Sequence, residues 1–116
     1  MASQHSCAYY SGQAFIEMEN VQRFAEKNNT ESVDNHLTLL EKEFDKVGIF
    51  CGIGDMSKEK EHLGNIRTAL TDKQLDKVSS EARQLEKELI LRLAQYANEG
   101  GDPLEIIPSR MLNSLK

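Results

Sequence analysis

Several features that define whole classes of protein are absent from this sequence. It contains no tryptophan and only two cysteines, Cys7 and Cys51, among 116 residues. Two cysteines make no disulfide framework, so we expect both to be free thiols in a reducing compartment. No apolar stretch approaches the roughly 20 residues that cross a bilayer, and no basic segment followed by an apolar one stands at the start. We therefore expect a cytoplasmic protein without a membrane partner.

Clusters of basic residues are absent as well. The net charge is -5, and residues 1–56 carry nine acidic and four basic side chains, whereas residues 57–116 carry ten of each. Nucleic-acid binding normally uses clustered lysine and arginine, which release counterions from the phosphate backbone, or aromatic side chains that stack on bases. Aromatic residues make up only 6% of the chain. The sequence predicts no nucleic-acid partner.

The residues that are present favour helices. Leu, Glu, Lys, Gln and Ala dominate the middle of the chain, and β-branched or aromatic residues never alternate over a strand-length run. A chain of 116 residues fits one domain. Apolar residues are 39% of the total, which predicts a thin core that oligomerisation would help to stabilise.

The first half of the chain predicts two helices after a loose arm at residues 1–10. From about residue 11 to 28, apolar residues recur every three or four positions, with Ser11 as a cap at the start and Asn28 at the end. The second helix, about 31 to 47, has apolar residues spaced alternately four and three apart. Thr30 or Ser32 is its predicted N-cap, and Gly48 its predicted end.

The segment from Gly48 to Met56 contains three glycines but is also apolar. Its glycine spacing does not match a phosphate-binding loop. We expect a turn that plugs the end of the bundle, and keep open a flexible apolar flap that contacts a partner. Ser57 is the predicted N-cap of a short third helix. Residues 71–74 match a capping box, which either starts a new helix or bends the old one.

The fourth helix is predicted over about 72–98 and is the longest. At 1.5 Å per residue it spans roughly 40 Å, against roughly 25 Å for each of the first two, so part of its apolar stripe has no partner. Gly100 and Gly101 end it, and residues 101–116 form a short, apolar helical tail interrupted by Pro108. The expected fold is all-α: a small four-helix-type bundle, residues 11–100, with one long helix and this tail.

No residue pattern predicts a catalytic or metal site. Glu59 and His62 have the spacing of a carboxylate and an imidazole on one helical face, but a di-iron bundle needs a second copy, and none is present. His36 is followed by Leu39, Leu40 and Glu43, which do not suit a phosphotransfer histidine. We expect no cofactor, no metal and no enzymatic activity.

These observations favour a small acidic adaptor, chaperone or anti-activator that binds and sequesters an apolar or basic segment of another protein. The predicted partner-binding residues are apolar side chains of the long helix and the tail. They are Leu89, Leu93, Tyr96, Ile106, Ile107, Met111, Leu112 and Leu115. We expect a homodimer through the long helix rather than a monomer. Two alternative functions remain open: a structural subunit that dimerises through that helix, and a metal or redox module using Glu59, His62 and the cysteines.

Overall fold

The computed structural model describes residues 4–98 of the chain, and the side chains of residues 7–95 within them. Four helices form this part, α1 (Gln4–Glu26), α2 (Thr30–Phe50), α3 (Ser57–Thr71) and α4 (Leu75–Asn98). The described residues contain no strand. The predicted all-α, four-helix architecture is confirmed. The predicted C-terminal tail lies outside the described residues.

The helices pack in a ring in which each contacts its two neighbours along the chain, and α1 closes the ring on α4. The connections are short, at residues 27–29, 51–56 and 72–74, which makes sequential helices antiparallel neighbours. Consistent with this, Cys7 near the start of α1 meets Cys51 just after α2, while Glu17 further along α1 meets His36 nearer the start of α2.

One contiguous core fills the space between the helices, and all four contribute to it. The largest fully buried side chains are Phe15, Phe44, Met18, Leu37, Leu40, Ile66, Leu85, Leu89, Ile90 and Leu93. They recur at three- and four-residue spacing because that spacing keeps side chains on one helical face.

Helix α4 is the longest of the four, as predicted, but the expected shortage of helix to cover its apolar stripe is wrong as far as Leu93. Helix α4 has 24 residues, but α1 has 23 and α2 has 21. Through Leu93, the seam residues Val78, Ala82, Leu85 and Leu89 are all buried in the bundle core. The sequence pattern predicted α1 and α2 to be shorter than they are. The surface available to cover α4 is therefore larger than expected.

The start of α1 also differs from the prediction. Residues 4–10, expected to belong to a loose arm, form the first two turns of α1. Ser11, expected to cap the helix, lies inside it and is fully buried. At the other end Asn28 adopts a left-handed conformation with φ of 59°, and Asn29 donates its N–H to the Phe24 carbonyl at 2.9 Å. Asn28 thus ends α1 near the predicted position, in a Schellman-type arrangement.

The caps of α2 and α3 use other residues than those predicted. Asn29, rather than Thr30 or Ser32, caps α2: its side-chain oxygen accepts from the Ser32 N–H at 3.2 Å. The N-cap position of α3 is Met56, rather than Ser57, and it makes no side-chain cap; the Asp55 carboxylate accepts the Ser57 N–H at 2.9 Å. In both cases the side-chain acceptor comes earlier in the chain than the sequence pattern suggested.

A turn separates α3 from α4, so the two helices are not continuous. Lys73 has a positive φ of 58°, and Gln74 donates its N–H to the Ala69 carbonyl at 2.8 Å. The Thr71 hydroxyl donates back to the Arg67 carbonyl at 3.0 Å instead of capping α4. The capping-box interpretation is therefore wrong, and the segment closes α3.

Gly48 continues α2 instead of ending it. The Gly54 N–H donates to the Gly48 carbonyl at 3.1 Å, and a Cβ on Gly48 would lie 2.6 Å from the Gly54 carbonyl oxygen. The turn itself uses Gly52 and Gly54, whose φ values are 67° and 68°. Met56 is buried in the core, so the turn does plug this end of the bundle as expected.

Candidate functional site

A disulfide between Cys7 and Cys51 joins the start of α1 to the end of α2. Their Cα atoms lie 4.7 Å apart, within the usual range for bonded cysteines, although the residues are 44 positions apart in the chain. Both are buried. The expectation of two free thiols, which rested on the cysteine count and a reducing compartment, is wrong: the helical start of α1 packs against α2 and brings Cys7 to Cys51.

Ser11 lies against the disulfide from the next turn of α1. Its side chain is fully buried, with the hydroxyl oxygen 3.6 Å from Cys51 Sγ and 3.9 Å from Cys7 Sγ. Disulfide sulfurs carry no proton, so the hydroxyl donates and a sulfur accepts. The disulfide is thus buried, and the Ser11 hydroxyl lies against its sulfurs.

Four large aromatic or aliphatic side chains of α1 and α2 lie within three residues of Cys7 or Cys51 in the chain. We call them the junction patch: Tyr9, Tyr10, Ile49 and Phe50. Tyr10 stacks on Phe50 with ring centroids 4.9 Å apart, and Tyr9 meets Tyr10 edge-on at 5.1 Å. Tyr10 and Phe50 are half-buried, whereas Tyr9 is 58% exposed and Ile49 is 68% exposed. Two neighbouring helices therefore present aromatic and aliphatic surface to solvent at one end of the bundle.

The α1 side of the junction patch carries little charge. The sequence has no Asp, Glu, Lys or Arg before Glu17, and the first turn of α1 contains no acidic residue. The Lys46 ammonium lies 5.1 Å from the centre of the Tyr10 ring, within the range of a cation–π contact. The charge beside Tyr10 is therefore a cation, whereas Ile49 lines a surface pocket with Asp45, Asp55 and Lys60.

A buried ion pair joins α3 to α4 near the same end of the bundle. Glu59 is fully buried, and one of its carboxylate oxygens lies 3.6 Å from Arg92 Nε, which is too long for a hydrogen bond. Arg92 also donates to the Asp55 carbonyl and contacts the Met56 sulfur at 3.8 Å. Arg92 thereby ties the turn before α3 to α4.

The two histidines whose side chains are described, His36 and His62, are used in contacts between helices. His36 pairs with Glu17 of α1 and stacks on Phe24 at 5.2 Å. His62 lies 3.4 Å from Glu81 of α4. Glu59 and His62, which their spacing placed on one face, thus have different partners. Among residues 7–95, no group of three or more potential ligands is arranged to hold a metal ion.

Surface ion pairs connect α2 and α3. Arg67 bonds to Asp34 at 2.9 Å and lies 3.7 Å from Glu41. Lys60 lies 2.5 Å from Asp45, and this hydrogen bond raises the pKa of Lys60 above its ordinary value. Exposed pairs of this kind contribute little stability. They show that three acidic side chains of α2, Asp34, Glu41 and Asp45, are already paired with α3.

The predicted partner-binding residues divide into two groups. Leu89 and Leu93 are fully buried in the core, so they do not form a binding surface. The side chain of Tyr96, and Ile106, Ile107, Met111, Leu112 and Leu115, lie outside the described residues. The sequence missed Ile49 and Phe50 as a surface of their own, although the apolar glycine segment that contains them was a candidate for contacting a partner.

No helix among the described residues is both long enough and apolar enough to cross a membrane. Comparison of the chain with protein-family models, with curated proteins and with solved structures finds no match.

Proposed function

We propose that this chain is a non-enzymatic protein-interaction module that binds an apolar segment of another protein, as an adaptor, chaperone or anti-activator does. The observation that carries the proposal is the junction patch, in which Tyr9 and Ile49 are more than half exposed beside a disulfide. Tyrosine and other aromatic residues are enriched at protein interfaces because they bury large area at little cost in side-chain entropy.

The chemistry of the patch favours an apolar partner over a basic one. Its four side chains are aromatic or aliphatic, the Lys46 ammonium lies over Tyr10, and Asp45 beside Ile49 is paired with Lys60. A basic segment would meet that cation, and Asp34, Glu41 and Asp45 of α2 are already paired with α3. An apolar segment would pack against the aromatic rings, and an acidic residue next to it would pair with Lys46.

The proposed surface replaces the long helix as the site of contact. Leu89 and Leu93 already pack inside one copy of the chain, so a homodimer built on them would require the bundle to open. For that reason we place partner binding, rather than self-assembly through α4, first. We further propose that the protein acts in the cytoplasm, without a nucleic-acid or membrane partner.

Affinity capture from native lysate tests this proposal. The full-length chain, a Tyr9→Ser/Ile49→Ser variant and a Leu91→Ser control are immobilised, and retained proteins are quantified by mass spectrometry. Leu91 is a suitable control because it is 59% exposed on α4, outside the patch. Polar replacement of exposed side chains changes stability little, so all three proteins should fold alike.

The proposal predicts a protein retained by the full-length chain and by Leu91→Ser, and depleted about tenfold or more by the patch variant, as expected when interface anchors are lost. Equal retention by all three proteins, or loss in the Leu91→Ser control alone, contradicts it. A chain truncated after Gly101, run in parallel, tests the earlier assignment of binding to the tail.

A further inference from the structure

The first turns of α1 are made of residues that form helices poorly. Between residues 5 and 12, only Ala8 is a strong helix former. The others are His5, Ser6, Cys7, Tyr9, Tyr10, Ser11 and Gly12. No acidic residue in the first turn interacts favourably with the helix dipole. Local preference alone therefore predicts an unfolded arm here, and tertiary contacts must hold these turns in the helix.

The disulfide is the main such contact. Before Ser11, Cys7 is the one described side chain of α1 that is fully buried; Ala8 and Tyr10 are only half-buried. From Ala14 onward α1 has several core residues of its own, including Phe15 and Met18. The later turns of α1 are consequently held by the core, whereas the first two are held largely by the bond to Cys51.

We propose that the Cys7–Cys51 disulfide is a thiol-controlled switch that orders the start of α1 and, with it, the α1 half of the junction patch. In the reduced protein residues 4–10 form a loose arm, as the sequence predicted, and in the oxidised protein they form the first turns of α1. In the reduced form Tyr10 leaves Phe50, and Tyr9 is no longer fixed edge-on against Tyr10.

The chemical step is an ordinary thiol–disulfide exchange with a dithiol reductant. Both sulfurs are buried, so attack follows local opening of the first turns of α1. One thiolate of the reductant then attacks a protein sulfur and forms a mixed disulfide, and its second thiolate releases the protein. The reductant loses two electrons and two protons and becomes a disulfide, while Cys7 and Cys51 each end as a thiol. In a cytoplasmic protein such disulfides are usually transient or redox-sensing, which agrees with the proposed location.

Amide hydrogen exchange on the full-length chain tests the switch without any partner. We compare the oxidised protein with protein held in excess dithiothreitol, and follow residues 5–12 separately from residues 14–25. The proposal predicts exchange about tenfold faster or more in residues 5–12 after reduction, with residues 14–25 and α2 to α4 still protected, as for local unfolding. Unchanged exchange at residues 5–12, or loss of protection throughout, overturns it.

A glycine substitution supplies an independent check that does not alter the cysteines. A Cβ on Gly12 would contact nothing within 4 Å, and alanine is the better helix former. Gly12→Ala should slow exchange of residues 5–12 in the reduced protein by about two- to fivefold, the equivalent of the usual glycine-to-alanine gain. Gly64→Ala, equally unobstructed but in α3, is the matched control and should leave residues 5–12 unchanged. A Gly12→Ala effect no larger than that of Gly64→Ala contradicts the account.

The consequence for binding rests on the proposed function and is measured separately. With the partner identified by capture, retention should fall about tenfold on reduction, and reoxidation should restore it. Equal retention in both states would overturn the switch as a control of binding even if exchange changes. Absence of any patch-dependent partner would overturn the proposed function, while the exchange results would still decide whether the disulfide orders α1.

Discussion

Tyr10 stacks on Phe50 with ring centroids 4.9 Å apart and ring planes inclined by 23°. This contact joins the second turn of α1 to the last turn of α2, directly beside the disulfide. The N-terminal end of α1 and the C-terminal end of α2 are thus joined at one place by a disulfide and by a pair of stacked rings. The predictions below follow from this junction and from the contacts that support it.

Replacing Tyr10 should cost stability, whereas replacing its neighbour should not. Tyr10→Ala removes a stacked pair and a half-buried ring, so the free energy of unfolding should fall by about 1 to 2 kcal/mol. Tyr9→Ala removes a ring that is 58% exposed and should change it by less than about 0.5 kcal/mol. Urea unfolding of the two variants measures the difference, and equal effects would contradict the described packing.

Removing the disulfide should destabilise the bundle without unfolding it. The cysteines are 44 positions apart, so losing the bond frees a long loop in the unfolded chain and should cost about 2 to 4 kcal/mol. Urea unfolding of Cys7→Ser/Cys51→Ser compared with the oxidised parent gives this value. Dithiothreitol should not change the free energy of unfolding of this variant. If it lowers that free energy further, the reductant destabilises the protein by some route other than this disulfide.

Gly48 should be intolerant of a side chain although it lies within a helix. Its Cβ in Gly48→Ala would be 2.6 Å from the backbone oxygen of Gly54 and 3.2 Å from Met56 Cγ. Because backbone cannot easily move aside, we expect a loss of about 1 to 3 kcal/mol. Gly64→Ala, with nothing within 4 Å of its Cβ, should instead gain about 0.5 to 1 kcal/mol. Thermal unfolding distinguishes the two signs.

Arg92 should matter chiefly because Glu59 is buried. Arg92→Met leaves a fully buried carboxylate without its cation and should cost about 2 to 4 kcal/mol. Adding Glu59→Met should recover much of this loss, since an apolar pair of similar volume often replaces a buried ion pair at little cost. If the double variant is no more stable than Arg92→Met in urea, the stranded charge is not the cause.

The helical architecture could be predicted from the sequence because it follows from local periodicity. Apolar residues such as Leu37, Leu40 and Phe44 recur at the spacing of one helical face, and they are buried where the pattern placed them. The fold class and the buried face of each helix can thus be predicted from residues that lie within one or two helical turns of one another.

The start of α1 could not be predicted in this way. Its residues disfavour helix, and its helical state depends on Cys51, 44 positions away, together with the ring of Phe50. Likewise, nothing near Gly48 indicates that the Gly54 carbonyl will approach it. The junction patch combines two such non-local contacts, which is why the sequence assigned partner binding to α4 and the tail instead.

Site-specific photocrosslinking tests the central claim, that the junction patch contacts another protein, most directly. A photoreactive residue is placed at position 49, 9 or 91 of the full-length chain, one position at a time, and each protein is irradiated in native lysate. The account predicts the same heterologous adduct from positions 49 and 9, and none from the equally exposed position 91. An adduct from position 91 alone, or no heterologous adduct from positions 49 and 9, would contradict it.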